Sequence, residues 1–135
     1  MSIVCTICNN GTFFNSITKQ CQECPLGSYT SKVGNTTNII YTSCTLCPIG
    51  SYQPLSGKNN CIACPVGTYN DNIEGSTSCT SCDTGTYQSH LGQSSCDLCS
   101  NGSYSDAQGS SECLLCASGS FSVVMMDENK ISRCT

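Results

Sequence analysis

Cysteine dominates the reactive inventory of this chain. Fifteen of its 135 residues are Cys. Fourteen of them fall into seven Cys-x-x-Cys pairs: Cys5/Cys8, Cys21/Cys24, Cys44/Cys47, Cys61/Cys64, Cys79/Cys82, Cys96/Cys99 and Cys113/Cys116. Cys134 stands alone near the end. Two thiols at this spacing can hold zinc, shuttle electrons as a dithiol–disulfide couple, or cross-link the chain.

Zinc has one argument in its favour. Cys5-x2-Cys8-x12-Cys21-x2-Cys24 is the spacing of a four-thiolate ribbon. Against it, the pairs run on regularly and fall into no natural groups of four. The charge and helix pattern of cytosolic zinc modules is missing, and three N-glycosylation acceptor patterns suit a secretory chain. Thioredoxin-type redox chemistry needs one reactive pair in a βαβ setting, not seven pairs in a loop-rich array. Cross-linking is the reading that fits.

Composition requires it. Cysteine at 15 of 135 residues exceeds the ~8–10% that marks a disulfide scaffold. There is no Trp, with only 3 Phe and 6 Tyr, and charged residues are 10%. Ordering the backbone costs roughly 1–2 kcal/mol per residue, and these side chains cannot build the apolar core that normally offsets it. If the second Cys of each pair bonds the first Cys of the next, the bonds are Cys8–Cys21, Cys24–Cys44, Cys47–Cys61, Cys64–Cys79, Cys82–Cys96, Cys99–Cys113 and Cys116–Cys134. Only Cys5 is left over. Its partner would then lie upstream of residue 1, or be absent, and Cys134-Thr135 reads as a Cys-x-x-Cys cut short. The expectation is a segment of a longer array. A rival scheme joins like positions of adjacent pairs, and spacing alone does not choose between them.

Other chemistry finds little material. Net charge is −4, and Lys19, Lys32, Lys58, Lys130 and Arg133 are scattered, so nucleic acid and membrane contact by this segment are not expected. No apolar run approaches the ~18–20 residues of a membrane span, and MSIVCTIC is not a signal peptide. His90 is the only histidine, and no Ser/His/Asp set can be built around it. Asp71/Glu74 and Asp127/Glu128 lack the pattern of a calcium loop. No catalytic residue, metal site or cofactor is expected, and the chain is read as not an enzyme.

The elements that position the cysteines are repeats. CNNGTF (8–13), CPLGSY (24–29), CPIGSY (47–52), CPVGTY (64–69), CDTGTY (82–87), CSNGSY (99–104) and CASGSF (116–121) share Cys-x-x-Gly-[Ser/Thr]-[Tyr/Phe]. Four repeats add Gly-x-x-x-Cys, at Gly57, Gly75, Gly92 and Gly109. The repeats run approximately 5–21, 22–44, 45–61, 62–79, 80–96, 97–113 and 114–135, forming one continuous array over 1–135. Cys-Pro-x-Gly fits a type I turn with Pro second and Gly fourth. Ser/Thr then Tyr/Phe favours a strand. The later Gly reads as the reversing turn of a hairpin, and the single aromatic as the cover of the cross-link. The fold class is therefore small and disulfide-rich: an elongated tandem array of short β-hairpin/turn modules with little hydrophobic core and almost no helix.

This pattern, CPxG[ST]Y…GxxxCxxC over Cys5 to Cys134, closely resembles the ephrin-receptor-like cysteine-rich repeat. It is also similar to the small module of tumour-necrosis-factor-receptor-like domains. The resemblance implies that the Cys before Pro bonds the Cys ending the same loop, and that the chain is extracellular or at the cell surface. Repeats lacking Pro (Cys82-Asp83, Cys99-Ser100, Cys116-Ala117) depart from the pattern in turn geometry. The expected function is a structural or adhesive rod, stiffened by disulfides, glycosylated, and part of a surface coat or filament assembling head to tail. The alternative is the ligand-binding ectodomain of a receptor. Expected partners are further copies of the chain or other extracellular proteins. Expected modifications are covalent glycans at Asn10, Asn35 and Asn101. Candidate interaction surfaces are Ile39, Ile40 and Tyr41, and Val123, Val124, Met125 and Met126.

Overall fold

A computed structural model describes residues 8–30, 43–71, 74–124 and 130–135. Cys5, Asn35, Ile39, Ile40, Tyr41, Met125 and Met126 lie outside the described residues, and Val124 is described in its backbone only. Among the described residues there is no helix; fourteen short strands form seven two-stranded sheets.

Each repeat is a small hairpin. The first is the longest, with β1 (Thr12–Asn15) antiparallel to β2 (Gln20–Glu23). The next five use strands of two residues: β3 (Ser28–Tyr29) with β4 (Thr45–Leu46), β5 (Ser51–Tyr52) with β6 (Ile62–Ala63), β7 (Thr68–Tyr69) with β8 (Thr80–Ser81), β9 (Thr86–Tyr87) with β10 (Asp97–Leu98), and β11 (Ser103–Tyr104) with β12 (Leu114–Leu115). The last pairs β13 (Ser122–Val124) with β14 (Ile131–Cys134), with a bulge at Val123/Val124. The Ser/Thr-Tyr dipeptide is one strand, and the two residues inside Cys-x-x-Cys are the other: Tyr69 faces Thr80, and Tyr87 faces Asp97.

The tight turn is shifted by one residue from the expected type I turn. Ser28 N–H donates to Pro25 O, Thr68 N–H to Pro65 O, and Thr86 N–H to Asp83 O. The glycine is thus third of four, with φ of 76° at Gly27 and 79° at Gly67, which is the type II arrangement. The hydroxyl of the fourth residue donates to the same carbonyl, at 2.7 Å in Ser28, Thr68, Thr86 and Ser103. Ser/Thr is therefore a turn lock, more than a strand former. Proline only supplies the accepting carbonyl, so Asp83 and Ser100 replace it without loss of the turn.

The interior is built of cystine. Cys24, Cys47, Cys64 and Cys82 are fully buried, and Ile131 is the only described non-cysteine residue among the buried hydrophobics. The tyrosines at Tyr29, Tyr52, Tyr69, Tyr87 and Tyr104 are half-buried, and Phe121 is 68% exposed. The aromatic slot thus sits beside the two exposed residues of the facing strand.

The chain divides into two compact units, one of residues 1–48, 52–62 and 73–78, the other of 49–51, 63–72 and 79–135. In the first unit Cys24 N–H donates to Gly11 O at 2.9 Å, and Cys47 N–H to Gly27 O at 2.8 Å. Gly57 N–H returns to Cys24 O, and Gly75 N–H to Cys47 O, both at 2.8 Å. In the second unit Cys64, Cys82, Cys99 and Cys116 donate to Gly50, Gly67, Gly85 and Gly102. There Gly92 and Gly109 return to Cys64 and Cys82 at 2.8 Å. The later glycine is thus more than a hairpin reversal: it docks on the cysteine that opens the preceding repeat.

Candidate functional site

The recurrent site is the Cys-x-x-Cys joint. Seven disulfides close the described repeats: Cys8–Cys21, Cys24–Cys44, Cys47–Cys61, Cys64–Cys79, Cys82–Cys96, Cys99–Cys113 and Cys116–Cys134. Their Cα atoms lie 5.6 to 5.9 Å apart, inside the usual disulfide range. The two cysteines of one Cys-x-x-Cys therefore belong to different staples. At Cys79-Thr80-Ser81-Cys82, Cys79 closes the loop behind and Cys82 opens the loop ahead. The backbone of Cys82 reaches both ways as well, donating to Gly67 O at 2.9 Å and accepting from Gly109 N–H at 2.8 Å. All fourteen described cysteines are held in these bonds, so none of them offers a thiolate to zinc or to electron transfer.

A second recurrent position went unread in the sequence. The residue after the aromatic is polar in six repeats, and in five of them it is buried: Thr30, Gln53, Asn70, Gln88 and Ser105 are no more than 4% exposed. Its carbonyl accepts the turn-glycine N–H of the preceding repeat, as in Gly67 to Gln88 at 2.7 Å and Gly27 to Gln53 at 2.8 Å. Its own N–H donates one repeat onward, Gln88 to Ser110 O at 3.1 Å. In Gln53, Gln88 and Ser105 the side chain ties its own loop, whereas Asn70 Nδ2 donates back to Ser51 O at 3.0 Å. Gln88 Nε2 donates to Ser95 O at 2.7 Å and its Oε1 accepts from His90 N–H at 3.0 Å. Gln53 does the same with Asn60 O and Leu55 N–H. At the first repeat, Gly11 N–H takes the Thr30 hydroxyl instead, at 2.8 Å. No buried described side-chain N or O lacks a partner, as a polar interior requires. Each such residue, once truncated, strands groups worth roughly 1–3 kcal/mol. The recurring polar residue in an apolar-poor repeat was the available signal.

The remaining residues singled out in the sequence do not converge. His90 is exposed, with Nδ1 3.2 Å from Ser89 Oγ. Val123 is half-buried and faces Arg133 in the last hairpin. Asn10 and Asn101 are both exposed on turns. Asp71, with Tyr69, Asp83, Thr86 and Ser94, lines an open cleft of about 250 Å³ in the second unit. Asp83 there pairs with Lys130 at 3.2 Å, with its own side chain 62% exposed; such a surface pair contributes about 0–1 kcal/mol. Among the described residues no group of three or more His, Cys, Asp and Glu could hold a metal.

Fold and joint together define a small disulfide-rich tandem hairpin array, with repetition in place of a singular site. A family model described as tyrosine-protein kinase ephrin type A/B receptor-like matches residues 34–78, 72–111 and 89–134. These matches run from 34 to 134, 101 of the 135 residues, and the chain belongs to that family of cysteine-rich repeats. No curated protein matches it. The family and the disulfides together suggest an extracellular or cell-surface module of the non-catalytic, ectodomain type. Among the described residues no helix is long and apolar enough to cross a membrane.

Proposed function

We propose that the chain is an extracellular structural segment, a disulfide-stapled spacer that carries no catalysis of its own. The observation behind this reading is the ladder. In repeat after repeat, Cys, turn glycine and buried polar residue spend their backbone groups on the adjacent repeats. Such an array fixes spacing along a chain, and nearest-neighbour stacking is how repeat proteins hold it. Disulfide-dense architecture belongs to oxidising compartments. A surface coat or filament of self-associated copies is the narrower form of the same proposal. Membrane-impermeant thiol labelling and surface antibody access, on intact cells that make the chain, test it. The expected result is an antibody-accessible chain that takes up thiol label only after reduction. A reduced, labelled chain found only after permeabilisation contradicts it. Light scattering of the purified, oxidised chain tests the narrower form: assemblies support it, and a monomer at all concentrations overturns it.

A further inference from the structure

We propose that Asn101 carries an N-linked glycan attached before its repeat closes. The inference rests on the extracellular reading and adds a modification site to it. Asn101-Gly102-Ser103 is an acceptor pattern, but a repeat that demands Gly-Ser/Thr makes half of that pattern by itself. Position in the turn separates the two explanations.

Ser103 N–H donates to Ser100 O at 3.0 Å, and Gly102 has φ of +89°. Asn101 is therefore the second residue of a type II turn, and Gly102 the third. The residue that gains from left-handed backbone in such a turn is the third, where Gly or Asn is favoured; the second favours Pro. Turn chemistry accounts for Gly102 and for Ser103, but not for Asn101. The same position projects outward in other repeats even when apolar: Leu26, Ile49 and Val66 are 53%, 52% and 45% exposed. Asn101 is exposed in the same way.

The order of events follows from Ser103. Its hydroxyl, the recognition element of the acceptor pattern, is committed to Ser100 O at 2.7 Å, and the residue is 7% exposed. A transferase that must read this hydroxyl meets it only in the unfolded loop. The reaction joins Asn101 Nδ2 to the anomeric carbon of a lipid-diphosphate-linked oligosaccharide. The C–N bond forms as the C–O bond to diphosphate breaks, the lipid diphosphate leaves, and the amide proton passes to a base of the transferase.

The test is expression of the chain behind a secretory leader in a eukaryotic host, with glycopeptide mass mapping. Secretion is imposed there, so failure at Asn101 is distinct from failure of the extracellular reading. Glycan on the Asn101 peptide is expected, with complete loss in Asn101→Asp, which suits a turn, and in Ser103→Ala. An unmodified Asn101, beside a normally modified control glycoprotein from the same cells, overturns the proposal. For timing, unglycosylated oxidised chain and reduced, unfolded chain are each given purified oligosaccharyltransferase with lipid-linked donor. Transfer at least ten-fold greater to the unfolded chain is expected; equal transfer overturns the order of events.

Discussion

Substituting Cys64→Ser together with Cys79→Ser lowers stability by about 3 kcal/mol, the loop-closure value for a staple of ~15 residues. The bond spans a sequence separation of 15. Cys64 is fully buried, and its N–H and carbonyl hold Gly50 O and Gly92 N–H at 2.9 and 2.8 Å. Opening the staple therefore loosens the ladder on both sides of it. In a globular domain a hydrophobic core would absorb part of the loss, but the buried apolar residues described here are six cysteines and Ile131. Amide hydrogen exchange checks this. Protection at Gly92 and Asn70 should fall by at least a hundred-fold in the double variant, and reduction of all the bonds should abolish protection throughout. A change below about 1 kcal/mol would mean that something other than the staple carries the fold.

Glycine substitutions should divide sharply by position. Gly67→Ala places a Cβ on left-handed backbone (φ +79°) and into the carbonyl of Gly109. Left-handed backbone costs an L-residue roughly 1–2 kcal/mol, and the overlap with the carbonyl of Gly109, a residue whose own N–H is held by Cys82 O, adds at least as much. Gly119→Ala meets the backbone cost alone: its φ is +86° but nothing among the described residues lies within 4 Å of the added Cβ. The expected losses are about 3 kcal/mol or more for Gly67→Ala and about 1 kcal/mol for Gly119→Ala. Denaturant melts of the two variants beside the parent decide it. Equal losses would show that repeats two steps apart do not press on each other at Gly67 and Gly109.

The contrast between those glycines also marks how far the sequence could be read. The hairpins and the cystine interior were legible, because each is written within some 17 residues and then written again. What lies between repeats was not. Gly67 and Gly109 are 42 positions apart, and no period in the sequence says that one backs the other. Gln53, Asn70 and Gln88 differ in type and look like surface. Their burial follows from backbone groups that a side-chain pattern does not show. Sulfur takes the fully buried positions, and Tyr29 and its equivalents are half-buried beside it. The Ser/Thr of each turn opens a strand as its propensity suggests, and its hydroxyl also holds a carbonyl, at 2.7 Å in Thr68, which propensity does not show.

The central claim is that Cys-x-x-Cys is a joint between adjacent staples. Peptide mass mapping under non-reducing conditions tests it most directly. The account predicts Cys47 linked to Cys61 and Cys64 linked to Cys79, so that Cys61 and Cys64 appear in different cross-links. A bond between Cys61 and Cys64, or free thiols accompanied by bound zinc, would contradict it.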